Sequence, residues 1–371
     1  MPANTVDLKL LLQHMVEKGA SDLHVRSNHP AVFRVDGHLS FRTPQPYSDE
    51  QVDQWVKSVL NERQSRTFEE KLECDLALSV EGLGRFRVNV YHQRGVVNIA
   101  IRVVPGTIPT FEQLKLPPVI RKISDEPRGL ILVTGTTGSG KSTTLAAMID
   151  YINTTRSRHI VTIEDPIEYI HEDKESIISQ RELMEDTLNY PEALKHVVRQ
   201  DPDVVLLGEM RDLETMAAAL TAAQTGHLVM STIHTIDTMQ TVNRIIDVFP
   251  PHQQNQIRFQ LADTLKGVIS QRLLPHASGK GRVPAVEVMV VTPIIRKYIL
   301  ENTLGEIGVV MKQGGYYGMQ TFHQALVGLI GSGEIALETA LSASSNPEEI
   351  MMAVRGVQTG TDSSGNLYSQ T

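Results

Sequence analysis

Gly129-Leu130-Ile131-Leu132-Val133-Thr134-Gly135-Thr136-Thr137-Gly138-Ser139-Gly140-Lys141-Ser142-Thr143-Thr144-Leu145 decides how the rest of the chain is read. Residues 130–133 form the short apolar run of a buried strand. Residues 135–142 fit G-x-x-x-x-G-K-[ST] at every fixed position, and Leu145, Met148, Ile149 and Ile152 then recur at helical spacing. Gly135, Gly138 and Gly140 let the backbone wrap closely, because a residue without Cβ reaches φ > 0 cheaply. The main chain of Gly135, Thr136, Thr137, Gly138, Ser139, Gly140, Lys141, Ser142 and Thr143 would then offer its amides to an anion at a helix N-terminus. The reading is a cradle for nucleotide phosphates. Lys141 is expected to neutralise the β and γ phosphates of ATP, and the Ser142 hydroxyl to ligate Mg²⁺. A glycine-rich turn without a ligand is the plainer alternative; the strand before, the helix after and the Lys-Ser pair all weigh against it.

The bulk properties bound the setting. A chain of 371 residues has room for two or three domains and an ample core. Its apolar content of 41% and charged content of 21% are those of an ordinary soluble globular protein. The net charge of −8 supplies no global basic field, which argues against a nucleic-acid partner without excluding a local groove. The single cysteine, Cys74, rules out a disulfide framework and a cysteine-built zinc site. No basic-then-apolar leader opens the chain and no run of 18 apolar residues occurs, so the expectation is a cytoplasmic protein without a transmembrane segment.

Around the phosphate loop the chain changes style twice. Residues 6–18 have amphipathic helical spacing stopped by Gly19. Strand-like runs follow at 22–26, 31–35, 74–80, 84–91 and 96–104, with a helical stretch around Trp55, Val56 and Leu60. That order suggests a small α+β domain over residues 1–104, and Pro105-Gly106-Thr107-Ile108-Pro109 opens a linker over 105–118. Residues 119–355 read as the α/β domain that holds the phosphate loop. Its four apolar runs end in polar chemistry: 130–133 in the loop, 160–163 in Glu164-Asp165-Pro166-Ile167-Glu168, 204–207 in Gly208-Glu209, and 228–233 in His234. Continuous apolar runs suit parallel strands buried on both faces, and ligands bind beyond the carboxyl ends of such strands. Asp212 can cap a helix bearing Leu213, Met216, Ala217 and Leu220, ended by Gly226. Residues 255–274 have helical spacing, the remainder to about 354 reads as mostly helical, and the small polar tail 356–371 as disordered.

Phosphoryl transfer to water needs charge neutralisation, a metal and a group that orients the attacking water. Glu209 is placed to contact the Mg²⁺ shell, directly or through water, or to contact the attacking water itself. Glu164, Asp165 and Glu168 supply a second acidic group, and a metal between such groups offsets their repulsion. The alternative for strand-end carboxylates is helix capping or plain solvation. His227 and His234 flank one strand at odd separation, hence on opposite faces, which disfavours a shared metal. Either could bond a γ-phosphate or be a satisfied core residue. Arg87 and Arg102 lie on strands of the first domain, where solvated surface arginines are the simplest reading.

Taken together, these motifs resemble the secretion ATPase superfamily, and within it the PilT-type ATPases that retract type IV pili. The likeness rests on Gly19-Ala20-Ser21-Asp22-Leu23-His24, Gly84-Arg85-Phe86-Arg87-Val88-Asn89 and the phosphate loop. Thr162-Ile163-Glu164-Asp165-Pro166-Ile167-Glu168, Gln180-Arg181-Glu182, Arg199-Gln200-Asp201-Pro202-Asp203, Gly208-Glu209-Met210-Arg211-Asp212 and the segment from Thr225 to Thr235 complete it. The resemblance implies a PAS-like N-terminal domain, a RecA-like ATPase domain with a parallel sheet, a homohexameric ring, and ATP held between the domains. It implies Glu168 as the catalytic acid, Glu209 as the Walker B acid, His227 and His234 as a histidine box, and Arg87 and Arg102 as arginines that reach the γ-phosphate.

It also implies a motor for pilus retraction and twitching motility, bound peripherally at the inner membrane through a pilus platform protein. Where the family carries an Ala-Ile-Arg-Asn-Leu signature for retraction, this chain has Ile294-Ile295-Arg296-Lys297-Tyr298, which keeps only the central Ile-Arg. The Gly318-Met319-Gln320-Thr321-Phe322 segment is similar to the accessory retraction paralogue, PilU. Three other functions are therefore carried forward. They are a motor of a pseudopilus or type II-like secretion system, a catalytically weak accessory subunit bound to another retraction ATPase, and, more remotely, a nucleic-acid-dependent ATPase.

Overall fold

Alternation of apolar and polar residues in the first hundred positions builds a sheet with one face on a core. The computed structural model describes residues 5–35 and 37–355; the tail expected over 356–371 lies outside the described residues. The described chain forms two compact units, one of Met1–Thr107 with Glu168–Ile170, the other of Ile108–Ile167 and His171–Thr371.

The first unit holds β1 (Asp22–Arg26), β2 (His29–Val35), β3 (His38–Tyr47), β4 (Glu73–Val80), β5 (Gly84–Gln93) and β6 (Val96–Val104). They form one antiparallel sheet in the order β3-β2-β1-β6-β5-β4. On β5, Phe86, Val88 and Val90 point into a core shared with Trp55, Phe33 and Ile99, while the residues between them face outward. Helices Thr5–Glu17, Asp49–Val59 and Glu62–Lys71 supply the rest of that core. Two elements do not stand out in the sequence. Pro44 and Pro46 break the pattern of β3, which is tolerated because it is an edge strand. The Glu62–Lys71 helix buries little beyond Gln64 and Phe68, and is fixed instead by a capping box of Asn61 and Gln64.

Register aligns Arg34, Asp22, Arg102 and Arg87 in a row across β2, β1, β6 and β5. Asp22, 7% exposed, accepts from Arg102 Nε at 2.7 Å and lies 3.7 Å from Arg34 Nε. Burial alone would raise its carboxyl, but the bonds from Arg102 and Ser21 and the Arg102 charge hold it below the usual carboxylate range. Arg87 Nη1 donates to Glu168 Oε1 at 2.7 Å within the same unit.

The second unit is built on β7 (Gly129–Thr134), β8 (His159–Glu164), β9 (Ile177–Glu182), β10 (Val204–Leu207), β11 (Leu228–Ile233), β12 (Leu265–Pro275) and β13 (Arg282–Val290). Their order is β13-β12-β7-β11-β10-β8-β9, parallel throughout except for β13 against β12. β7, β10 and β11 are buried along their whole length, as strands covered on both faces must be. Phe111 and Leu116, in the segment expected as a linker, are buried with Ile120 and Met148 of this unit.

Helical spacing over 255–274 is corrected by the structure: the helix is Pro251–Thr264, and residues from Leu265 onward are β12. Leu265, Val268 and Ile269 match a helical period only because β12 is buried on both faces and lacks alternation. β13 likewise interrupts the region expected to be mostly helical.

Candidate nucleotide site

The loop after β7 is shaped by its glycines. Gly135 has φ +143°, and a Cβ there would meet Gln271 O and Ser139 Oγ at 2.4 Å each. Gly140 caps the Lys141–Thr155 helix at φ +94° with no side-chain bond to its amides, which leaves that end free to receive an anion. Beneath the loop, Gln271 Nε2 donates to Thr144 Oγ1 at 2.8 Å, and Thr134 and Ser270 hydroxyls bond at 2.7 Å, tying loop and helix to β12.

Lys141 is buried, and its Nζ donates to Gly135 O at 2.9 Å and Thr136 O at 3.0 Å. Burial pushes its ammonium pKa down, and the Glu209 carboxylate opposes that shift. Ser139 Oγ is buried without a partner, while Thr136, Thr137 and Ser142 are exposed and Thr143 is half-buried. An orphaned hydroxyl, a lysine bonded only to loop carbonyls and a cradle that excludes Cβ together fit a bound phosphate.

Parallel register brings further groups to the same edge of the sheet. Glu209 follows β10, its side chain 15% exposed, with Oε1 3.1 Å from His234 Nε2 and Oε2 2.8 Å from Arg211 Nη2. The segment is locked to β11 by Met210 N donating to Thr232 O and Thr232 Oγ1 donating to Gly208 O. Helix capping, the alternative open to Glu209, falls instead to Asp212, which accepts from Thr215 N. Glu164, at the end of β8, accepts from Thr162 Oγ1 at 2.7 Å and Gln180 Nε2 at 3.3 Å.

Residues 4–327 match the family described as type II/IV secretion system protein. The chain belongs to that family. The type IV pilus retraction ATPase PilT of Pseudomonas aeruginosa is 45% identical over 343 residues, 92% of this chain and 99% of the relative. The type IV pilus ATPase PilU of the same organism is 41% identical over 350 residues, 94% of this chain and 92% of the relative. The fold superposes on a crystal structure of the pilus retraction motor PilT with bound ADP at a TM-score of 0.86, with 45% identity, over 92% of this chain and 98% of that one.

As a member of the type II/IV secretion family, the chain gathers several of the expected groups at its phosphate loop within the second unit. Lys141, Glu209 and His234 are linked, and Glu164 lies two strands away from β11 at the same edge. His227 does not join them. Its carbonyl accepts from Gly129 N at the opposite end of β7, and about 20 Å of strand separates it from His234 at ~3.3 Å per residue. Its Nδ1 lies 2.9 Å from Ala222 O, a cap on the preceding helix. Glu168, Arg87 and Arg102 belong to the first unit, where Glu168 pairs with Arg87 and Arg102 with Asp22.

Tyr190 was not singled out by sequence, yet a Cβ on Gly208 would stand 2.7 Å from its hydroxyl. Burial, then the charges of Asp165, Glu209 and Glu164, push its phenol pKa far up, so it stays a proton donor among carboxylates. The only sequence signal for it is the absence of a side chain at Gly208, which cannot be read without the fold.

Proposed function

We propose that this chain hydrolyses ATP and that the reaction drives retraction of a type IV pilus. The observation that carries the chemistry is the linked set of Lys141, Glu209 and His234 at a glycine loop that a Cβ would obstruct. The biological half rests on the likeness to PilT over nearly the whole of both chains, and on the ADP bound in the PilT crystal.

In this reading the amides of residues 135–143 hold the phosphates, and Lys141 exchanges its loop carbonyls for phosphate oxygens. Ser142 would hold Mg²⁺, with Glu209 in its shell through water; the ion would neutralise phosphate charge. His234 and Arg211 fix the rotamer of Glu209. Glu164 and Glu168 are the candidates to orient the water that attacks the γ-phosphorus as the bond to ADP breaks, and Arg87 and Arg102 are candidates to offset charge on the transferred group. Six copies in a ring, acting on a platform protein of the inner membrane from the cytoplasmic side, complete the proposal. Among the described residues no helix is long and apolar enough to cross a membrane.

Deletion in the source organism, with surface pili counted, tests the direction of force: a retraction motor's loss leaves excess pili, an extension motor's loss leaves bald cells. A second reading, an accessory subunit of another retraction ATPase, is favoured by one observation. Of the altered residues in the 294–298 segment, Ile294 and Lys297 are exposed and Tyr298 is half-buried, so the departure from the family signature lies largely at a surface. ATP binding without turnover by the purified chain would favour that reading.

A further inference from the structure

The acidic segment between β8 and β9 is long for a connection within a parallel sheet, twelve residues (165–176) between the two strand ends, and carries no helix or strand of its own. Connections of this length without secondary structure usually serve a function, since ordinary ones run to about six residues. What holds it is unusual in kind. β8 and β9 pair in parallel with Thr162 opposite Gln180 and Glu164 opposite Glu182, so four polar side chains share one face.

Gln180 and Glu182 each reach into the connection. Gln180 Nε2 donates to Glu164 Oε1 at 3.3 Å, and its Oε1 accepts from His171 N at 2.8 Å. Glu182, only 5% exposed, accepts from Ile167 N through Oε2 at 3.2 Å. The segment is thus held at its entry carboxylate, in its middle and at its exit, and the buried side chain of Ile167 adds an apolar anchor. Residues 172–176 have separate support from Asn153, which donates to Glu172 O at 2.7 Å and accepts from Lys174 N at 3.2 Å. Only Glu168, Tyr169 and Ile170 remain between the two held amides.

The geometry points to Gln180 and Glu182 as positioning residues for ATP hydrolysis: two side chains on one face of β9 that fix Ile167 and His171 of the loop, and with them the carboxylate of Glu164. Burying an acid and half-burying an amide at the end of an edge strand is costly unless their bonds are made. Here both satisfy main-chain amides of the same acidic loop, which apolar side chains could not do. A carboxylate that orients water acts only within narrow geometric limits, so looseness in this loop lowers the rate of the chemical step and leaves phosphate binding, set by residues 135–143, in place. The inference rests on the reading of Glu164 as an acid of ATP hydrolysis.

The experiment uses the full chain and compares Gln180→Ala, Gln180→Glu, Glu182→Ala and Glu182→Gln. Steady-state phosphate release gives kcat and KM, a fluorescent ADP analogue gives the nucleotide Kd, and thermal unfolding monitors the fold. Gln180→Ala and Glu182→Ala are expected to lower kcat about 10- to 100-fold with KM and Kd within about threefold of native. Glu182→Gln, which keeps an acceptor for Ile167 N–H, restores kcat to within about threefold. Gln180→Glu keeps the His171 bond and loses the donor to Glu164, so it folds and still loses about tenfold in kcat even if Gln180→Ala does not fold. Native kcat in Gln180→Glu, or loss of kcat in Glu182→Gln equal to that in Glu182→Ala, overturns the proposal. Glu164→Gln, run alongside, separates the two ideas. If it keeps full turnover, the underlying reading fails; if it loses turnover while the Gln180 and Glu182 variants keep it, only the clamp fails.

Discussion

His234 Nε2 lies 3.1 Å from Glu209 Oε1, while Arg211 Nη2 holds the other oxygen at 2.8 Å. A carboxylate gripped at both oxygens has one orientation, and that orientation keeps its charge close enough to Lys141 to act on it. His234→Ala is expected to lower kcat about 10-fold, as loss of such orienting groups does, with little change in nucleotide affinity. His234→Gln, which keeps a donor, should recover part of the loss. Equal turnover in native protein and His234→Ala, measured as phosphate release, would count against any role for this pair.

Gly135→Ala should abolish nucleotide binding. Its Cβ would press on Gln271 O and Ser139 Oγ at a φ of +143° that side chains rarely adopt. The cost to stability is expected to be about 1–3 kcal/mol. A thermal melt with and without ADP reads both effects, because a variant that cannot bind shows no ligand-dependent rise in Tm.

Gly208 and Tyr190 should couple. Gly208→Ala sets a methyl group 2.7 Å from the Tyr190 hydroxyl, so it destabilises alone, by about 1–3 kcal/mol of overpacking. Adding Tyr190→Phe removes the obstructing oxygen and should recover at least about 0.5 kcal/mol in a double-mutant cycle. Additive effects would mean that the two groups do not meet.

Acid sensitivity should map in part to His171. Burial, opposed by Asp150 and aided by Lys174, pushes its imidazole down to about 4. The unfolded chain takes up this proton near the ordinary value of about 6.5, and the folded chain only near 4. Between those values the unfolded state binds more protons, so stability rises with pH across that window and is lost as pH falls through it. The contribution is at most about 3 kcal/mol. Urea titrations of His171→Gln should show a shallower loss between pH 6.5 and 4 than native protein; parallel curves would contradict the assignment.

What could be read in the sequence divides along physical lines. The strands 130–133, 160–163, 204–207 and 228–233 were legible because full burial leaves uninterrupted apolar runs, and Asp212 because a cap precedes its helix directly. The same full burial hid β12, whose apolar residues fell by chance on a helical period. Lys141, Glu209 and His234 were legible because strand ends in a parallel sheet share one edge. His227 shows the limit of that argument: a residue just before a strand lies a full strand length from one just after it. Gln180, Glu182 and Tyr190 gain their place only through pairing register and the missing side chain at Gly208, and neither is visible along one chain.

In the proposed reaction the loop of residues 135–142 holds the phosphates of the nucleotide that this chain hydrolyses. Phosphate release by purified protein with ATP and Mg²⁺, native against Lys141→Ala, tests it most directly. Native protein is expected to show measurable turnover and the variant a loss of about 100-fold or more, since it lacks the buried ammonium that would meet the β and γ phosphates. Turnover that survives intact in Lys141→Ala, with its melting temperature unchanged, would contradict it.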